Sequence, residues 1–310
     1  MTSRRRARAA AAIWLLAALV WLSPTRATAG LEMAVTIDDL PTTGPLPHGT
    51  TRSSIAAQII AALQRHGVPD VYGFANGGQV RDDPDLAGIL RAWREAGFLL
   101  GNHTLSHMDL SRVSAGEFVE DIEANERMLV RWSPAGAASY FRYPYLHEGD
   151  TLDKRDAVRR WLSSRRYTVA QVTVDFQDWA WNDAYARCVA LRDHASIERM
   201  KTTFLDAAKA ALAWSTEVSA RLFDRQVKHI LLAHLGAFDA VMLDGLLSMY
   251  RAGGVTFVGL PSAVQDPAYA VNPDAPWQGE RTFLLQTAEA RRIVVPPAPD
   301  WRPALDRMCR

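Results

Sequence analysis

Between residues 33 and 260, short β-branched and apolar runs alternate with longer segments whose apolar side chains recur every three or four positions. Met33 to Ile37 is a β-like run, closed by the Pro- and Gly-containing stretch 40–49. Residues 52–66 then place Ile55, Ile59, Ile60 and Leu63 on one helical face. Val71 to Phe74 and Phe98 to Leu100 read as strands either side of a helix over 85–96 that stops at Gly97. Ser114, with Glu117 three residues on, has the spacing of a capping box and opens a helix over 114–132. Further strands are expected at 140–142, 167–174, 230–232 and 255–258, separated by helices near 153–165, 195–223 and 239–252. Such alternation implies parallel strands joined by crossover helices. About seven units in ~220 residues is the size of a β/α barrel, complete or incomplete.

The two ends of the chain read differently. Residues 1–29 have the layout of an export signal: Arg4, Arg5, Arg6 and Arg8, an uncharged apolar run from Ala9 to Leu22, then Ala27-Thr28-Ala29. The alternative is a retained anchor, but fourteen apolar residues fall short of the ~20 a spanning helix needs. From Asn272 onward prolines accumulate (Pro273, Pro276, Pro296, Pro297, Pro299, Pro303), so 272–310 is expected as an extension packed on a single domain over 30–271.

Composition sharpens this picture. The 310 residues carry a formal charge of +1, and 48% hydrophobic with 22% charged residues is a globular balance. Removal of 1–29 takes away five arginines and no acid, leaving 281 residues with a charge of −4. That argues against a nucleic-acid partner, and no other stretch is apolar enough to span a membrane. Cys188 and Cys309 remain in a compartment that permits a disulfide, and either a bridge or two free thiols is open.

The chemistry gathers where strands end, the usual place in parallel α/β architectures. Asp38-Asp39 follows the first strand, His103-Thr104-Leu105-Ser106-His107 the third, Arg142-Tyr143-Pro144-Tyr145 the fourth. Asp175 and Asp178-Trp179 follow the fifth, and His234 the sixth. His103 and His107, four apart, meet one metal if they share a helical turn, and an aspartate completes three ligands with positions left open. A second carboxylate can serve as base, and a histidine across the site as acid. Arg142 can hold the free aspartate ionised and aimed, and a buried carboxylate such as Asp175 can raise the pKa of His234. Metal-assisted hydrolysis of an acyl bond follows.

These blocks resemble the five motifs of the polysaccharide deacetylases, the NodB-homology group of carbohydrate esterase family 4. Thr36-Ile37-Asp38-Asp39 is similar to the family's Thr-Phe-Asp-Asp, and His103-Thr104-Leu105-Ser106-His107 to His-Ser/Thr-x-x-His. Arg142-Tyr143-Pro144-Tyr145 looks like Arg-x-Pro-Tyr, 175–179 like Asp-x-x-Asp-Trp, and Leu231-Leu232-Ala233-His234 like Leu-x-x-His. The resemblance implies a distorted (β/α)7 barrel and a divalent metal, usually zinc with cobalt or nickel tolerated. It makes Asp38 the base, His234 the acid, and Asp39, His103 and His107 the ligands. Arg142 would orient Asp38, Asp175 would tune His234, and the Tyr145 amide would meet the oxyanion. Trp179 and Leu232 would line the acetyl-methyl pocket.

Two departures stand out. His234 is followed by Leu-Gly-Ala-Phe where many members have His-Asp, and the interval from Asp175 to His234 is long. That interval is expected to shape one wall of the substrate groove. Its Trp181 and Tyr185, with Trp214, are either helix-packing core or a sugar-stacking platform. The expected function is an exported deacetylase acting on N-acetyl groups of amino-sugar glycans, with an acetylated polysaccharide or oligosaccharide as partner. An O-acetyl esterase on xylan-like chains and a non-catalytic carbohydrate-binding relative are the alternatives.

Overall fold

The computed structural model describes residues 30–132, 139–275 and 281–310; the expected export signal at 1–29 and Pro276 lie outside the described residues. Among these, seven strands form one sheet: β1 (Glu32–Leu40), β2 (Tyr72–Ala75), β3 (Leu99–Asn102), β4 (Ser139–Phe141), β5 (Tyr167–Val169), β6 (His229–His234) and β7 (Thr256–Phe257). All pairings are parallel, in the order β5-β4-β3-β2-β1-β6, with β7 on the first residues of β1. β1 is nearly buried along its length. Packing on both faces of a parallel sheet explains why it reads as a continuous apolar run rather than an alternating one.

The run 167–174 takes two partners in succession. Its first residues pair with β4 as β5, after which Val174 bridges to Leu231 of β6. The Thr173 and Val174 amides both donate to the Ile230 carbonyl at 3.1 Å, and the Leu232 amide donates to the Val174 carbonyl at 3.0 Å. The sheet therefore curls into the distorted barrel that the resemblance implied. Its seam is a few bonds rather than a full ladder.

Helix starts follow local chemistry. The Ser114 hydroxyl accepts from the Glu117 amide at 3.2 Å while the Glu117 carboxylate accepts from the Ser114 amide at 2.8 Å, and the helix Ala115–Leu129 follows. The helix Ala180–Ala190 was not legible from periodicity; it buries Trp181, Ala184 and Cys188. The helix His194–Phe223 has 30 residues, about 45 Å at 1.5 Å per residue. It lies in the outer layer, where Met200, Phe204, Ala207, Ala211 and Val218 form its buried stripe. Trp181 and Trp214 are buried, and Tyr185 packs 5.0 Å from Phe238. Core packing is thus the role found for these aromatics.

The C-terminal stretch also reaches the interior. Phe283 and Leu284, from the helix Phe283–Ala290, pack with Trp214, Val218 and Leu222. Cys188 and Cys309 form a disulfide that ties the end of the chain to the helix Ala180–Ala190. No helix among the described residues is long and apolar enough to cross a membrane.

Candidate active site

Parallel strands deliver their carboxyl ends to one side of the sheet, and register decides which end groups meet. β1 and β6 pair so that Asp38 stands opposite His234. β2 pairs Ala75 with Asn102 of β3, and β3 pairs Asn102 with Phe141 of β4, which sets His103 and Arg142 at adjoining ends. The backbone turns sharply there: Asp39, Thr104, His107 and Tyr145 have φ of 61°, 63°, 55° and 57°. Left-handed non-glycine residues cost of order 1–3 kcal/mol each and persist where the surroundings impose them. The expected helical turn joining His103 to His107 is absent. The segment is an irregular loop, in which Asn76 Nδ2 donates to the Thr104 carbonyl and Thr104 Oγ1 accepts from the Met108 amide.

That loop brings both imidazoles to one carboxylate. Asp39 Oδ1 lies 3.5 Å from His103 Nε2 and 3.2 Å from His107 Nε2, and one ligand-type atom from each residue falls within 4.8 Å of the others. His103 Nδ1 donates to the Arg142 carbonyl at 2.8 Å, which leaves the Nε2 lone pair facing Asp39. Asp39 Oδ2 accepts from Thr43 Oγ1 at 3.0 Å, whereas the buried Oδ1 has no hydrogen-bond partner. An anionic oxygen otherwise orphaned between two imidazole nitrogens fits a divalent cation, and three donors leave coordination positions open.

Asp38 is fixed from behind. Arg142, fully buried, donates from Nη1 to both Asp38 oxygens at 3.1 Å, from Nε to the Ala170 carbonyl at 2.6 Å and from Nη2 to Thr36 Oγ1 at 3.1 Å. Its guanidinium also sits 4.6 Å over the Phe74 ring. The carboxylate can rotate only by breaking these bonds.

The partner of His234 requires a correction. Asp175 was expected in that place, but Asp178 holds it: His234 Nδ1 donates to Asp178 Oδ1 at 2.8 Å and the His234 amide donates to Asp178 Oδ2 at 2.7 Å. Asp175 Oδ1 accepts the Gln177 amide at 2.7 Å, and Gln177, at φ 59°, turns the chain so that Asp178 faces β6. Burial pushes the His234 pKa down, but the Asp178 carboxylate outweighs it and leaves the imidazole well above its ordinary value.

These groups surround a pocket of about 320 Å³. Asp38, Asp39, His103, His107 and His234 line its polar side. Leu232, Leu146 and Trp179 supply an apolar side, and Leu146 and Leu232 join Val172 in a small buried cluster. Tyr145 is half exposed at the lining, its ring 4.4 Å from that of His107. The long helix contributes nothing to this lining. Between Asp175 and His234, the interval expected to shape the groove, Trp179 and Leu232 reach it.

The polysaccharide deacetylase family model matches residues 26–161, which carry the first three blocks. Over these residues the chain is similar to the polysaccharide deacetylases. A chitooligosaccharide deacetylase of Rhizobium leguminosarum bv. trifolii is 32% identical over 120 residues, 39% of this chain and 49% of that one. A peptidoglycan-N-acetylglucosamine deacetylase of Bacillus cereus is 28% identical over 148 residues, 48% of this chain and 46% of that one. The chain thus spans about half the length of these two relatives. A CE4-family pseudoenzyme of Bacillus anthracis shares the fold at a TM-score of 0.54 and 15% identity, over 77% of this chain and 66% of that one. Because a pseudoenzyme has this fold, only the residues of the site bear on turnover.

One departure from the family's sequence pattern now has a structural account. After His234 the chain supplies its next acid five residues on, as Asp239 in the first turn of the helix Ala237–Ala252. Burial and the adjoining Asp178 carboxylate push the Asp239 carboxyl well above the usual range. Asn182 Nδ2 donates to Asp239 Oδ2 at 3.2 Å, and Asn182 Oδ1 accepts from the Phe238 amide at 2.8 Å. A Cβ on Gly236 would fall 2.3 Å from Asn182 Nδ2 and 2.4 Å from Asp239 Oδ2, so this close approach needs glycine. Sequence reasoning missed Asp239 because nothing local ties it to an acid 61 residues earlier.

Proposed function

We propose that this chain is an exported, zinc-dependent deacetylase that hydrolyses N-acetyl groups of amino-sugar glycans. One observation carries the reading. A clamped carboxylate, a three-donor metal site and a cationic imidazole line one pocket with an apolar side. Two imidazoles with one carboxylate are a donor set suited to zinc. A bound cation would polarise the acyl carbonyl and make water acidic enough to attack at neutral pH.

The protein's own groups do the rest. Asp38, aimed by Arg142, accepts the proton of the attacking water. His234, kept protonated by Asp178, donates a proton to the leaving nitrogen, without which an amine does not depart. The Tyr145 amide meets the developing oxyanion. Leu232, Leu146 and Trp179 receive the acetyl methyl, favouring acetyl over bulkier acyl groups. Export is supported by the arginine-led apolar leader and by the Cys188–Cys309 bridge, since disulfides persist in oxidising compartments.

The test is acetate release by the zinc-loaded chain from N-acetylglucosamine oligomers and from acetylated xylan. Release from the oligomers that Asp38→Asn abolishes is the expected result. Release from xylan alone would replace amide with ester as the substrate bond, and no release from either would refute the reading.

A further inference from the structure

The residues after 299 are outside the five motifs, yet they border the reacting pocket. Arg302 lines that pocket together with the metal ligands. A second pocket of about 210 Å³ adjoins it, lined by Trp179, Asp183, Arg187, Arg302, Leu305 and Asp306. Trp179 and Arg302 line both, so the two spaces share a border.

Three attachments hold this wall in place. The disulfide fixes Cys309 to Cys188. Arg187 donates from Nη2 to the Leu305 carbonyl at 2.9 Å and from Nε to the Met308 carbonyl at 3.2 Å. Leu305 is buried in the main core, against which Trp301 and Met308 also pack. Arg302 is itself oriented by Asp300, which accepts from Nε at 2.9 Å and Nη2 at 3.0 Å.

We propose that the disulfide-held C-terminal segment and the helix Ala180–Ala190 build a second subsite, which binds a neighbouring pyranose of the glycan whose acetyl group enters the metal pocket. This rests on the proposed glycan substrate. The chemistry of the lining selects the ligand class. Two guanidinium and two carboxylate groups bring no net charge, which does not suit a free anion, but together they offer donors and acceptors to ring hydroxyls. The partly exposed Trp179 gives a flat apolar face at the border, matched to the C–H face of a sugar ring. Arg187 is committed to the carbonyls of the wall and Arg302 is held by Asp300 at the border of the two spaces, so Asp183 and Asp306 are the hydroxyl-binding groups.

The experiment measures binding, not turnover, on the full zinc-loaded chain. Tryptophan fluorescence would be titrated with the N-acetylglucosamine monomer and tetramer in the wild type and in Asp183→Ala, Asp306→Ala and Cys309→Ala. The expected wild-type preference for tetramer over monomer is about tenfold or more, the size of one or two hydrogen bonds to charged groups. Each variant should shrink that ratio severalfold. Asp183 and Asp306 are exposed, so their truncation leaves the fold intact. A wild type without tetramer preference, or an unchanged ratio in both Asp183→Ala and Asp306→Ala, overturns the subsite. Tetramer preference that depends on these residues without any acetate release would uphold the subsite and refute the deacetylase reading.

Discussion

Replacing Arg142 by lysine separates charge from geometry at the centre of the site. Lysine keeps a cation near Asp38 but has one donor group in place of a planar fork. The bonds from Nε to the Ala170 carbonyl and from Nη2 to Thr36 Oγ1 are lost. Thr36 Oγ1 still donates to the Leu231 carbonyl at 2.7 Å, so the main orphan is the Ala170 carbonyl. Leaving one buried acceptor unpaired costs ~1–3 kcal/mol, and loss of the ring contact over Phe74 adds ~0.5–1 kcal/mol, so urea unfolding should show a loss of about 2–4 kcal/mol. For activity, Asp38 is no longer held by both oxygens, and a base displaced by about 1 Å loses about a hundredfold in kcat. KM should change far less, because Arg142 does not line the pocket. The bond from His103 to residue 142 is to its backbone carbonyl and survives the substitution, so metal content measured by mass spectrometry should stay near one ion per chain. A metal-loaded Arg142→Lys enzyme with more than a third of wild-type kcat would refute the clamp argument.

Other expectations follow from the same geometry. Asp178→Asn removes the charge that keeps His234 cationic, so the alkaline fall of a kcat/KM–pH profile should move to lower pH; an unmoved limb would show that His234 is not the acid. Cys188 and Cys309 close a loop of 121 residues, for which chain entropy gives about 5 kcal/mol, so their double serine variant should melt on the order of 10 °C lower by calorimetry. Removal of the metal by a chelator should abolish acetate release while leaving the far-ultraviolet circular dichroism intact, because His103 and Asp39 keep hydrogen bonds of their own, and zinc should restore activity. His229 is buried and its pKa is lowered to about 4, so the unfolded chain binds its proton first. Stability should therefore fall by about 3 kcal/mol between pH 6.5 and pH 4, and His229→Leu should flatten that part of a urea-midpoint profile.

Much of this was legible along the chain. Apolar runs and helical periodicity located the strands, because burial within a parallel sheet leaves its mark on each segment separately. Ser114 and Glu117 announced their capping box for the same reason: the bond is made three residues apart. Polar residues at strand ends pointed to Asp38, Asp39, His103, His107 and His234, since the parallel architecture sends every such end to one side.

Where two distant segments had to be matched, local pattern was not enough. Asp175 and Asp178 lie three residues apart and look equally able to serve His234; only the turn at Gln177 and the seam between Val174 and Leu231 select Asp178. The disulfide, the Asp239 behind Asp178 and the second pocket beside Trp179 likewise depend on contacts across 61 to 127 positions. Sequence by itself therefore determined the elements and the kind of chemistry at their ends, because backbone hydrogen bonding and burial act residue by residue. Tertiary structure alone decided the partners, because a side chain's partner is set by register and loop geometry, which couple positions that no periodicity connects.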